Sequence, residues 1–198
     1  MDMVLDSSFL TIDSDVQPAA GRLLIAEPFL SEPYFGRSVV MLTQHSDDGS
    51  MGLVLNKPLK LFLHEIVQGV HLEENIPVYC GGPVGSKSLF YLHNIDEMPD
   101  SLPITKKIFL GGNFAWLLDR LNAGLGTGKH VRFFLGYAGW DSGQLDEEIL
   151  HQSWIVAKAG GQQVLHQSDA STLWSRSMQS LGGKYKRWAD FPKNPNLN

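Results

Sequence analysis

Residues 38–43 (Ser-Val-Val-Met-Leu-Thr) and 51–55 (Met-Gly-Leu-Val-Leu) are two short apolar runs on either side of His45-Ser46-Asp47-Asp48-Gly49-Ser50. The first is rich in β-branched residues, which suit a pleated, half-buried surface. The polar segment between them has turn chemistry. The three segments predict an antiparallel hairpin, which needs further strands or helices to cover its apolar side chains.

The rest of the chain repeats this pattern. Residues 22–26, 78–80, 89–93, 107–110, 131–135 and 154–157 read as strands, with Gly81-Gly82-Pro83 as the turn between the second and third. The run 131–135 is almost wholly apolar and reads as a central strand. Helical spacing is found over 61–67 and over 114–122, where Phe114, Leu117, Leu118 and Leu121 share a face. Residues 142–152 predict a helix capped by Asp141 or Ser142. A last helix over 170–181 is stopped by Gly182-Gly183. Strands outnumber helices and hairpins are frequent. The expected fold is therefore α/β in the α+β sense: a mixed, largely antiparallel, curved or barrel-like sheet with flanking helices. Residues 1–20 are polar and acidic and read as an arm with one short helix, and residues 21–198 as a single domain.

Composition narrows the function. Hydrophobic residues make up 43% of the 198, and no apolar run approaches the roughly 18 residues that would span a bilayer. The acidic N-terminus does not read as a secretory signal. The single cysteine, Cys80, excludes an internal disulfide, and these features together point to the cytoplasm. The net charge of −5 argues against direct nucleic-acid binding, which needs a clustered basic surface. The one basic cluster, Lys184, Lys186, Arg187 and Lys193, reads as a solvated tail.

Several familiar chemistries fail on spacing. Residues 124–130 look like a phosphate loop, but Ala123 stands where the first glycine belongs and His130 where a hydroxyl should hold Mg²⁺. His64-Glu65-Ile66-Val67-Gln68 lacks the second histidine of a zincin. Glu148 and His151 form one Glu-x-x-His pair where a di-iron bundle needs two, and read as a surface ion pair. His45, Asp47 and Asp48 could surround a divalent ion, but a turn needs such residues anyway. There is no Gly-x-Ser-x-Gly elbow, and Cys80 reads as a small buried hydrophobe rather than a nucleophile. No catalytic residue, metal or cofactor is expected.

The most informative stretch is Gly136-Tyr137-Ala138-Gly139-Trp140-Asp141-Ser142-Gly143-Gln144-Leu145-Asp146-Glu147-Glu148. It reads as a glycine turn leading from strand to helix, with Gln144 and Glu148 on one helical face. Such a turn can cradle an anion or present a ring to a ligand, although the same glycines and Trp140 also serve as tight turns and a core plug.

This stretch, together with residues 21–28, 35–40, 52–58 and 81–84, resembles the YqgE/AlgH family of bacterial proteins. The likeness runs from Gly21 to about Gly182, and Trp154 and Trp174 fall where the family has tryptophan. Lys57 stands where the family often has arginine, Asp146 where it usually has glutamate, and Cys80 lies outside its pattern. The resemblance implies a compact α/β domain on a curved or barrel-like sheet and a cytosolic bacterial protein. The family is often labelled as transcriptional regulators, and no established biochemical activity comes with it. The reading that follows is a regulatory protein that binds a small anionic ligand or a protein partner through Asn56, Lys57, Gly81, Gly82, Tyr137, Trp140, Gln144 and Glu148. Two alternatives stand beside it. One is a hydrolase or nucleotide-processing enzyme using Glu148 or Glu147, with Lys57 or Arg37 as an anion clamp. The other is a direct DNA-binding regulator, which the charge disfavours.

Overall fold

A computed structural model of the chain describes residues 11–13, 15–72, 75–124, 130–159, 164–165 and 170–192. The strands are β1 (Arg22–Ala26), β2 (Val39–Ser46), β3 (Gly49–Val54), β4 (Pro58–Phe62), β5 (Pro77–Cys80), β6 (Val84–His93), β7 (Leu102–Pro103), β8 (Phe109–Leu110), β9 (Val131–Asp141) and β10 (Trp154–Lys158). The helices are α1 (Leu63–Ile66), α2 (Phe114–Asn122), α3 (Gln144–Leu150), α4 (Leu173–Leu181) and α5 (Gly183–Trp188). The strands form a curled sheet in the order β10-β1-β2-β3-β9-β6-β8-β7, with β5 joining β9 and β4 joining β5. The β5–β9 pair is parallel and the other pairs are antiparallel. This is the mixed, largely antiparallel, curved architecture that the strand-rich pattern predicts.

Strand β9 organises the sheet because it changes partners midway. Its first half pairs with β5 (Val78 opposite Phe133, Cys80 opposite Leu135), and its last residues pair with β3 (Gly52 opposite Ala138, Gly49 opposite Asp141). On its other edge it keeps β6 from His93 to Val84. Gly136 sits at the changeover with φ +70°, a left-handed conformation that side chains disfavour. The expected strand end at residue 135 is thus a kink, and the strand continues through the glycine–tryptophan segment to Asp141.

The pleat explains the continuous apolar runs of β1 and β2. Leu23, Ile25, Val39 and Met41 enter one core cluster with Trp174, Met178, Tyr185 and Trp188. Leu24, Ala26, Val40 and Leu42, pointing the other way, enter a second with Trp140, Leu145 and Trp154. Both faces are covered, so both sets of alternate positions are apolar. A third cluster packs α1 and α2 against Val78, Tyr91, Val131 and Phe133.

Other expectations change in detail. The hairpin turn contracts to Asp47-Asp48, since His45-Ser46 and Gly49-Ser50 are paired. The helix expected over 61–67 is replaced by β4 and the four-residue α1. Pro58-Leu59-Lys60-Leu61-Phe62 alternates with period two, and that period wins. Helix α3 is shorter than expected. Its N-cap is Gly143 at φ +73°, with no side-chain cap from Asp141 or Ser142. Residues 183–188 are not a solvated tail. Gly182 ends α4, and α5 then buries Tyr185 and Trp188 in the first core cluster. Lys184 meets Asp13 of the N-terminal arm at 2.5 Å. Lys193 and residues 125–129 of the glycine loop lie outside the described residues.

A buried histidine pins the loop between β6 and β8. His93 is 0% exposed and stacks on Phe109. Its Nε2 donates to the Gly111 carbonyl at 2.8 Å, and its Nδ1 accepts the Ile95 N–H at 3.2 Å. Both bonds together require the neutral ring, and burial, the largest effect, lowers its pKa below the ordinary histidine value. A depressed histidine pKa gives stability that is complete above the unfolded-state pKa of about 6.5 and is lost as pH falls through the folded-state value. Urea midpoints are therefore expected to fall between pH 7 and pH 5 in the wild type and to fall less in His93→Gln. Equal slopes in the two proteins would refute the assignment.

Candidate functional site

Glu148 is the node of the signature segment. Its Oε2 accepts the indole N–H of Trp140 at 2.9 Å and that of Trp154 at 2.7 Å, and its Oε1 accepts from Gln144 Nε2 at 2.9 Å. Gln144 Oε1 in turn accepts the Asp141 N–H at 3.0 Å. Phe35 completes the cluster, stacked on Trp140 at 6.1 Å and edge-on to Trp154 at 5.5 Å. Trp140 and Trp154 are buried, so their N–H groups need an acceptor that water cannot supply. Glu148 supplies it from α3, which explains a carboxylate two turns away from the strand it serves. The expected Glu148–His151 ion pair is not formed: Glu148 faces the indoles, and His151 caps the far end of α3. Glu147 is exposed on the solvent side of α3.

Asn56 and Lys57 serve the loop that carries Phe35. Asn56 Oδ1 accepts the Val39 N–H and its Nδ2 donates to the Arg37 carbonyl, both at 2.9 Å. Lys57 Nζ donates to the Gly36 carbonyl at 2.7 Å. Arg37 holds φ +53°, with its guanidinium 4.6 Å over the Trp174 ring and donating to the Phe191 carbonyl. Asn56, Lys57 and Trp140 thus meet around one loop, residues 35–37, as its supports, and Glu148 fixes Trp140 behind it.

Gly81 and Gly82 lie against β9. Gly81 donates to the Leu135 carbonyl and accepts from the Val54 N–H, both at 2.8 Å. Backbone therefore touches backbone where β3, β5 and β9 meet. Cys80 is half-buried, with Sγ 3.8 Å from the Gly82 carbonyl.

Of the expected residues, Tyr137 and Trp140 line an open groove of about 400 Å³. Its other walls are Gln44, Asp48, Ser50 and Met51 from the hairpin, Val84 from β6, and Gly139 and Asp141 from β9. Phe90 meets the Tyr137 ring edge-on at 5.6 Å and steadies it. A Cβ on Gly139 would stand 3.1 Å from Tyr137 Cε2, so the glycine leaves room beneath the ring. Asn56, Lys57, Gly81, Gly82, Gln144 and Glu148 are not among the lining residues. Gln44, Ser50, Met51 and Val84 were not expected from sequence, because only the β2-β3-β9-β6 order of the sheet brings them together. His45 Nδ1 is engaged with Ser50 Oγ at 2.8 Å, and no group of three metal-ligating side chains is found among the described residues. No helix among them is long and apolar enough to cross a membrane.

Comparisons with known proteins agree with this architecture. The chain is 40% identical over 197 residues to a UPF0301 protein of Bacteroides thetaiotaomicron, covering 99% of this chain and 100% of that protein. It is 41% identical to one of Bacteroides fragilis, with the same coverage. Among solved structures, a Corynebacterium diphtheriae protein, DIP2367, superposes with a TM-score of 0.78 at 21% identity, covering 96% of this chain and 100% of that one, and shares the fold. The AlgH protein of Pseudomonas aeruginosa superposes with a TM-score of 0.68 at 27% identity, covering 91% and 98%. A family model described as AlgH-like matches residues 23–186. The chain belongs to the AlgH-like, UPF0301 family, whose function is uncharacterised.

Proposed function

We propose that this protein is a regulatory binding protein without catalysis of its own, and that its binding surface is the groove walled by Tyr137, Gly139, Asp141 and the β2–β3 hairpin. The observation that carries this reading is the state of Glu148. A general acid or base needs a carboxylate free to exchange a proton with substrate. Glu148 already accepts three hydrogen bonds, two of them from buried indoles. The proposed anion clamps are engaged as well, Lys57 on the Gly36 carbonyl and Arg37 on Phe191 and Trp174. The groove, by contrast, presents an aromatic ring, an amide, a hydroxyl and two exposed carboxylates, a set suited to recognition.

The lining also selects the occupant. Asp48 and Asp141 are its ionisable groups besides the phenol of Tyr137, and it contains no lysine or arginine. The helix that follows carries Asp146 and Glu147 in its first turn. This field favours a cationic, donor-rich segment of a partner protein over the anionic ligand expected from the glycine turn, and disfavours nucleic acid. Regulation through a protein partner fits the same charge.

The test is a chemical-shift titration with a short Lys/Arg-containing peptide and, separately, with inorganic phosphate. Saturable shifts at the Met51, Gly139 and Asp141 amides are expected with the peptide. They should weaken about tenfold in the Asp48→Asn, Asp141→Asn double variant, since each exposed pair contributes up to about 1 kcal/mol. Phosphate binding at these amides, or no peptide response, would overturn the reading.

A further inference from the structure

A second cavity, of about 240 Å³, lies at the opposite end of α3 from the groove. Glu27, Pro28 and Phe29 form one side, His151, Gln152 and Ser153 another, and Trp188 of α5 the wall. Three parts of the chain distant in sequence therefore converge there. Glu27 is anchored by its backbone, its N–H donating to the Ser153 carbonyl at 3.0 Å. Gln152 holds a left-handed φ of +66°, and its Oε1 accepts the Ile12 N–H from the N-terminal arm. Phe29 stacks on Phe191 at 5.5 Å, and Trp188 meets Tyr185 edge-on at 5.2 Å, so both apolar walls are braced from behind.

The carboxylate of Glu27 contrasts with that of Glu148. Glu148 accepts three hydrogen bonds, whereas Glu27 accepts one, from the Phe29 N–H to Oε2 at 2.8 Å. Its Oε1 has no partner among the described residues. Burial, the larger effect, raises its pKa above the ordinary glutamate value, against the Phe29 N–H bond, which lowers it. Half-buried carboxylates are costly unless donors satisfy them, and Glu27 lines a cavity that has two aromatic side chains, Phe29 and Trp188, among its walls.

We propose that this cavity binds the ammonium group of a small molecule with a short apolar body, Glu27 supplying the counter-charge and Pro28, Phe29 and Trp188 the apolar wall. The two oxygens are unequal, and this favours one kind of cation. A guanidinium is best held by both carboxylate oxygens in a fork, and Oε2 already shares its lone pairs with the Phe29 N–H. A compact ammonium needs one strong acceptor and gains from aromatic neighbours. The volume admits a molecule of amino-acid size and excludes a folded partner. The site stands independently of the groove.

The test uses the full chain with n-butylammonium and phenethylammonium as probes and butyrate as the control, read by NMR at the Trp188 indole N–H and the Phe29 amide. Saturable binding of the ammonium probes is expected, with butyrate silent. Glu27→Gln keeps a carbonyl for the Phe29 N–H and should weaken the ammonium affinity about fivefold or more. His151→Glu adds a carboxylate at the exposed rim and should strengthen it, so the two variants move in opposite directions without either disturbing the core. Equal binding of butyrate, no saturable shift with either ammonium, or an affinity indifferent to both variants would overturn the proposal. Asp141→Asn should leave these shifts unchanged, which separates this site from the groove.

Discussion

Glu148→Ala is expected to lower the unfolding free energy by about 3–5 kcal/mol, while Glu148→Gln lowers it by about 1 kcal/mol. Each buried polar group left without a partner costs about 1–3 kcal/mol, and hydrogen bonds to a charged acceptor lie at the upper end. Alanine would strand two indole N–H groups at once, on Trp140 at 5% exposure and Trp154 at 1%. It would also loosen the two tryptophans against which Phe35 packs, stacked on Trp140 and edge-on to Trp154. Glutamine keeps one oxygen with two lone pairs for the indoles, and Gln144 can turn its own amide to meet the new NH₂ only by giving up the Asp141 N–H, so the charge and one exposed hydrogen bond are lost. Urea unfolding with an unchanged m-value measures both. A loss below about 1 kcal/mol for the alanine variant would show that the carboxylate is not the staple of this cluster. A general-base role for Glu148 predicts the reverse ordering of effects, with glutamine abolishing activity and stability little changed in either variant.

The sheet was legible because strand periodicity is local. Val39 to Leu42 and Leu53 to Leu55 announce their hairpin through side chains that all find a core, and Phe114 to Asn122 announces α2 through one apolar face capped by Asn113, whose Oδ1 accepts the Trp116 N–H at 3.0 Å. The continuation of β9 was hidden by Gly136 and Gly139, which read as turn residues. Their actual task is to let one strand change partners, a property of the neighbouring chains β5 and β3 that no window around Gly136 contains. The docking of α5 was hidden for a related reason. Lys184, Lys186 and Arg187 dominate its composition, while Tyr185 and Trp188, three apart on one face, carry its burial. Of the residues grouped from sequence, Asn56, Lys57 and Trp140 touch residues 35–37, and Glu148 reaches that loop only through the tryptophans. Spacing could not tell that they support a loop, because a carboxylate saturated by indoles and a carboxylate awaiting a substrate look alike in sequence. The residues that face the groove, such as Ser50 and Val84, carry no motif and follow from register.

Gly82→Ala is expected to cost about 4 kcal/mol or more, enough to abolish folding in a protein of ordinary stability. A Cβ at Gly82 would sit 2.2 Å from the Tyr137 carbonyl carbon and 2.3 Å from the Ala138 nitrogen, at a φ of +152°. The obstacle is backbone of the central strand, so no rotamer change can relieve it. Gly81→Ala should behave likewise, its Cβ falling 2.1 Å from the Gly136 oxygen although its φ is ordinary. Gly143→Ala is the control. Its φ of +73° is strained for alanine, but nothing lies within 4 Å, and the cost should be about 1–2 kcal/mol. Thermal or urea unfolding of the three variants separates conformational strain from collision. If Gly82→Ala matched Gly143→Ala, the strands would have to part easily at the point where β5 meets β9. The consequence for binding follows from position. Val84, two residues beyond Gly82, is paired with Tyr137, and both line the groove. A milder disturbance of the same seam should therefore appear first as altered shifts at Tyr137 and Gly139 and as a weaker groove affinity, while the Trp140–Glu148–Trp154 cluster, held from α3 and β10, stays intact.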